Sequence, residues 1–134
     1  MKRFFASIVL VAAVAAAFAA FAGEAAHKGT VKTLTGELVD TGCYLGHAAR
    51  GEKHVSCASK CIANGMPMAL LTDNGELYLI TQNHDNLDAY NQCKDMVSQI
   101  VEVTGPVMSR RGMKAIQADA VKAAPAAAAA PAKK

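Results

Sequence analysis

The chain has 134 residues, of which 52% are hydrophobic and 5% aromatic with no Trp, and its formal net charge is +3. That length suits one domain with short extensions. So small a charge excludes capture of nucleic acid or of an anionic membrane surface by electrostatic field alone. The shortage of aromatics also removes the stacking platform that a single-stranded nucleic-acid site needs.

The first residues read as an address. Lys2 and Arg3 precede an apolar, Ala-rich run over 4–22, and Ala20-Phe21-Ala22 fits the small-x-small pattern of signal-peptide cleavage. The competing reading is an uncleaved anchor, because a run of this length just spans a bilayer. Alanine is weakly hydrophobic and the cleavage pattern is good. Residues 1–22 are therefore predicted to be a signal peptide removed after Ala22, with a periplasmic or secreted product and no stable membrane span. The short, Ala-rich leader has a bacterial character. Removing Lys2 and Arg3 from the 14 basic residues leaves 12 against 11 acidic ones, near balance.

Residues 23–31 form a small, polar lead-in. Residues 32–122 are predicted to be the folded domain, and the Ala/Pro-rich stretch 123–134 a flexible tail that cannot bury a core. Within the domain, residues 32–40 alternate as a half-buried strand. Residues 67–72 and 76–81 flank Asp73-Asn74-Gly75, a tight-turn signal, and predict a hairpin. Residues 85–98 switch to helical period, with Asp85 as N-cap and Leu87, Tyr90, Met96 and Val97 on one face. Residues 100–107 and 113–121 return to period two around the turn Ser109-Arg110-Arg111-Gly112. This order predicts a mainly β fold: a five-stranded OB-like Greek-key barrel, with a short Cys-bearing helix inserted between strands 1 and 2 and another helix between strands 3 and 4. Gly36 and Gly105 suit the bends of a small barrel. The alternative is a two-layer α+β sheet of the same element order, which leaves two edges open.

The chemistry concentrates between Asp40 and Pro67, which holds Cys43, Cys57 and Cys61 with His47 and His54. The inserted helix is predicted over about 57–64, with Ser56 as N-cap, Asn64-Gly65 as C-cap and Pro67 as stop. Cys57 and Cys61, at i and i+4, then share one face, and Cys43 arrives from the end of strand 1. A helix reaching back to His54 would set His54 and Cys61 about 10.5 Å apart along its axis. His54 joins the thiols only if the helix starts after it. Cys43, His54, Cys57 and Cys61 make a Cys3His set suited to Zn²⁺ or, with thiolates dominant, to Cu⁺. His47 is a weaker fourth ligand.

The same residues carry two other readings. Exported thiols tend to pair, and a bridge from Cys43 to Cys57 or Cys61 would staple the helix to the barrel, contributing about 2–4 kcal/mol. The domain would then be a disulfide-stapled module for a protein or oligosaccharide partner. Cys57 at a helix start also suits a reactive thiol in an exported oxidoreductase. The spacing is C-x-x-x-C, not C-x-x-C, and Ile62 follows Cys61, so covalent haem is not predicted. Asp40 either caps a turn or orients His54. Met66 and Met68 are core filling or soft ligands beside the thiols. Arg110 and Arg111 read as a solvated turn. No Ser-His-Asp order, paired carboxylates or phosphate loop is present, so a binding module, not an enzyme, is expected. Its partners are a metal ion and a protein of the cell envelope, with no nucleic acid.

The string Asp40-x-x-Cys43-Tyr44, His54-x-x-Cys57-Ala58-x-x-Cys61-Ile62-x-x-Gly65-x-Pro67, with Val103-Thr104-Gly105, resembles a group of small, largely uncharacterised exported bacterial domains with an OB-like barrel. The resemblance covers about residues 35–121. It implies the barrel fold and makes Cys43, His54, Cys57 and Cys61 a coherent set, but implies no reaction. Cys93 lies outside the pattern, as a free thiol or accessory ligand.

Overall fold

The computed structural model describes residues 29–125. The predicted signal peptide 1–22 lies outside the described residues, as do most of the lead-in and of the tail. The described residues run β1 (Thr30–Asp40), α1 (Thr41–His47), a 3-10 turn (Glu52–His54), α2 (Val55–Ala63), β2 (Met68–Thr72), β3 (Leu77–Gln82), α3 (Asp88–Asp95), β4 (Ile100–Arg110), β5 (Met113–Ala118) and β6 (Ala120–Ala123). β1 starts two residues before the boundary expected from sequence.

The strands close into the five-stranded barrel predicted from the element order. Hydrogen-bonded neighbours run β1–β2–β3–β5–β4, and β4 returns to β1. The β3–β5 pair is parallel and the others are antiparallel. Closure leaves no open edge for a two-layer sheet, so that alternative is excluded. Two long strands make it possible. β1 pairs with β4 over 30–37 and with β2 over 36–40, changing neighbours at Gly36. A Cβ on Gly36 would run into the Leu71 carbonyl oxygen, so only glycine permits that approach. The expected last strand breaks at Asp119, and β6 continues it along β4. Gly105 lies at this break, where a Cβ would meet the Gln117 carbonyl oxygen.

The interior holds Leu38, Leu70, Ile80, Val101, Val103 and Ile116, all buried. α2 and α3 pack against it with Ala58, Ile62, Ala89 and Cys93, and Val97, just beyond the end of α3, joins them. The hairpin turns follow the sequence. Gly75 takes a φ of +81°, and Arg111 and Gly112 take +53° and +84°, the positive pair a two-residue type I′ hairpin needs. β4 runs to Arg110, so the turn is tighter than expected.

Three helical expectations are corrected. Asp85 does not cap α3: its own N–H is taken by Asn83 Oδ1, Asn86 Oδ1 accepts from Asp88 N–H, and the helix starts at Asp88. These Asx turns hold the chain out of helix until residue 88. Ser56 does not cap α2, which begins at Val55 as a continuation of the 3-10 turn, with His54 at the N-cap. Cys43 is not at a strand end but inside α1, a helix the sequence reading did not include.

β1 explains why the site lies where it does. Its last five residues are all buried, because the β1–β2 connection folds back over it. On one face, Val39 packs with Ala69 and Leu71 under Tyr44 of α1. Glu37, on that same face, accepts the Gly51 N–H at 2.5 Å and pins the connecting loop. On the other face, Leu38 enters the core and Asp40, two residues on, ends the strand beneath α2.

Candidate metal centre

Asp40 is the base of the site, a carboxylate with 0% exposure and both oxygens engaged. Oδ1 accepts the Cys43 N–H at 2.8 Å, the N-cap bond that starts α1. Oδ2 lies 3.0 Å from His54 Nε2. Asp40 thus does both things the sequence allowed, capping and orienting. Burial by itself would raise its pKa, but the Cys43 N–H and His54 outweigh it and hold the carboxyl below its ordinary value.

α1 lasts seven residues and ends at Ala48, which adopts φ +55° and donates its N–H to the Tyr44 carbonyl at 2.8 Å. This short helix carries Cys43 up to α2. Cys43 Sγ lies 4.0 Å from Cys61 Sγ. Cys43, His54 and Cys57 each offer one ligand atom within 4.8 Å of the other two, and Asp40, Cys43 and Cys61 form a second such group. The four residues predicted from sequence all appear in these groups, but no single group among the described residues holds all four. They meet as two groups sharing Cys43, with Cys57 in one and Cys61 in the other. The condition set for His54 is satisfied by a different device: the 3-10 turn, not a Ser56 cap, delivers its ring to the helix start.

The thiols differ in surroundings. Cys57 is exposed, Cys43 and Cys61 are half-buried, and all four cysteines are free. Desolvation, reinforced by the Asp40 carboxylate, pushes the Cys43 thiol up to about 12. Desolvation also raises Cys61. Cys93 is buried in the core, pushed up to about 11 by desolvation, and stands in neither ligand group.

The other sequence candidates separate cleanly. Met68 is core. Met66 is exposed and arches over Gly42, where a Cβ would be 2.9 Å from its Sδ. Tyr44 packs on the barrel. His47 joins no ligand group among the described residues. The residue that sequence reasoning undervalued is Asp40, whose signal was its place three residues before Cys43, the N-cap-to-N3 spacing. Among the described residues, no helix is long and apolar enough to cross a membrane. No protein-family model, curated protein or solved structure matches the chain, so the functional reading rests on the geometry of this cluster.

Proposed function

We propose that the protein is an exported, non-enzymatic barrel module that binds Zn²⁺ or Cu⁺ through Cys43, His54, Cys57 and Cys61. The observation behind this reading is the convergence of two thiols and an imidazole nitrogen within 4.8 Å, with a third thiol 4.0 Å from the shared Cys43. In a tetrahedral site with Zn–S of 2.3 Å, sulfur ligands stand about 3.8 Å apart, so the Cys43–Cys61 pair is near ligating separation without rearrangement. Thiolate and imidazole donors favour Zn²⁺ and Cu⁺ over Mg²⁺ or Ca²⁺. The Asp40 carboxylate on His54 Nε2 is the outer partner that a ligating histidine usually has. A bound ion would replace the proton that keeps Cys43 a thiol.

The test is metal stoichiometry on the chain purified under reducing, oxygen-free conditions. One Zn²⁺ or Cu⁺ per chain is expected, lost in Cys43→Ser. Reduced protein that takes up neither ion from solution removes this reading.

A further inference from the structure

The geometry points to a redox gate on this centre: a disulfide between Cys43 and Cys61 that excludes the metal. The inference rests on the metal reading above and adds its regulation. Its basis is that Cys43 belongs to both ligand groups. A bond that consumes Cys43 disables both at once, whereas loss of Cys57 or Cys61 disables one.

Cys61 is the partner the fold provides. The two sulfurs are 4.0 Å apart and sit on separate elements, α1 and α2. A disulfide needs about 2.05 Å, so the sulfurs must close by about 2 Å. α1 is seven residues long and contributes no fully buried residue, so rotation of the Cys43 side chain with a small shift of this helix supplies that movement while the Asp40 cap and the Tyr44 packing stay in place. Cys57 and Cys61 share one face of α2, an arrangement poorer for bridging than a pair from separate elements. Cys93 is sealed in the core and cannot compete.

The oxidant is a disulfide, either a small molecule or an exported dithiol oxidase. The Cys61 thiolate attacks one sulfur of that disulfide. The oxidant's S–S bond breaks, and its departing thiolate takes the electron pair and a proton. The Cys43 thiolate then attacks Cys61 Sγ in the mixed disulfide and expels the second thiolate, which is also protonated. Two protein thiols have become one disulfide, and one oxidant disulfide has become two thiols. A metal held on Cys43 blocks the second attack, so metal and bridge are mutually exclusive.

The experiment uses the full chain, reduced and stripped of metal, with oxidised glutathione as oxidant and Cd²⁺ as metal probe. Oxidation is expected to remove the mass of two hydrogens and to join the Cys43 and Cys61 peptides in a non-reducing digest. The thiolate-to-Cd²⁺ absorbance should be lost on oxidation and return with dithiothreitol. Preloaded Cd²⁺ should suppress the cross-link. Cys57→Ser should still form it and Cys61→Ser should not. The proposal is overturned if the metal-free chain forms no Cys43–Cys61 link, or if the oxidised chain binds Cd²⁺ as the reduced chain does. A reduced chain that takes no Cd²⁺ overturns the metal reading and the exclusion with it, and the digest separately reports whether the bridge exists.

Discussion

Replacing Asp40 with Ala removes two bonds from one buried side chain. The first is the N-cap bond to Cys43 N–H, and losing such a cap costs about 1 kcal/mol, range roughly 0.5–2. The second is the 3.0 Å bond to His54, and hydrogen bonds to a charged group contribute about 1.5–3 kcal/mol. Together the loss is about 2–5 kcal/mol. At roughly 4–8 °C per kcal/mol for a domain of this size, a loss near 3 lowers Tm by roughly 10–25 °C. Asp40→Asn keeps the Oδ1 acceptor for α1 and should cost about 1 kcal/mol, mainly from the altered partner of His54. Urea and thermal melts on metal-free, reduced protein measure both, since a bound ion would add stability of its own. The sign with pH is fixed by the lowered Asp40 pKa. Its contribution is present above the ordinary value of 3.8 and is lost as pH falls through the lower folded value, so wild type and Asp40→Asn should converge in acid. An Asp40→Ala protein within about 0.5 kcal/mol of wild type, or an Asn variant as damaged as the Ala variant, would refute the two-bond account.

Glu76 is held down to about 2, first by Lys114 and then by the Tyr78 hydroxyl; in Lys114→Ala its carboxyl resonance should titrate nearer 4.5. The stabilisation from Glu76 is accordingly present above 4.5 and lost as pH falls through about 2. Gly105→Ala drives a Cβ into the Gln117 carbonyl oxygen and should cost about 3 kcal/mol or more in a chemical denaturation curve. Gly46→Ala, with nothing within 4 Å of the new methyl in α1, should instead gain about 0.5–1 kcal/mol. Iodoacetamide should label exposed Cys57 in the native state, while buried Cys93 should react only after denaturation; equal rates at the two would contradict the placement of α3.

The barrel was legible because its signals are local and repeated. Alternation in β1, β4 and β5, the Asp73-Asn74-Gly75 turn, and glycines at the two close approaches all point the same way. α1 was not legible. It contains Gly42 and Gly46, buries no residue and shows no apolar stripe, so neither propensity nor periodicity marks it. What makes it a helix is the Asp40 cap and the packing of Tyr44 on Val39, Ala69 and Leu71, a tertiary contact. The same gap misplaced Cys43. The ligand set was readable from residue type and spacing, but its division around Cys43 was not, because that depends on where α1 sets one sulfur between two others on α2. Ser56 had the right chemistry for a cap, yet the 3-10 turn at Glu52–His54 had already started the helix.

The change of neighbours along β1 also bears on the order of assembly. Closing the barrel brings together residues such as Thr33 and Thr104, 71 apart in sequence, whereas Cys43 and Cys61 are 18 apart. On loop-closure entropy alone the shorter contact is favoured by about 1.2 kcal/mol. The thiols therefore meet on a shorter loop than the barrel that will hold them. During refolding in an oxidising medium, protection of the Cys43–Cys61 pair should precede protection of the β1–β4 amides, making the sulfur cluster an early landmark of the folding path.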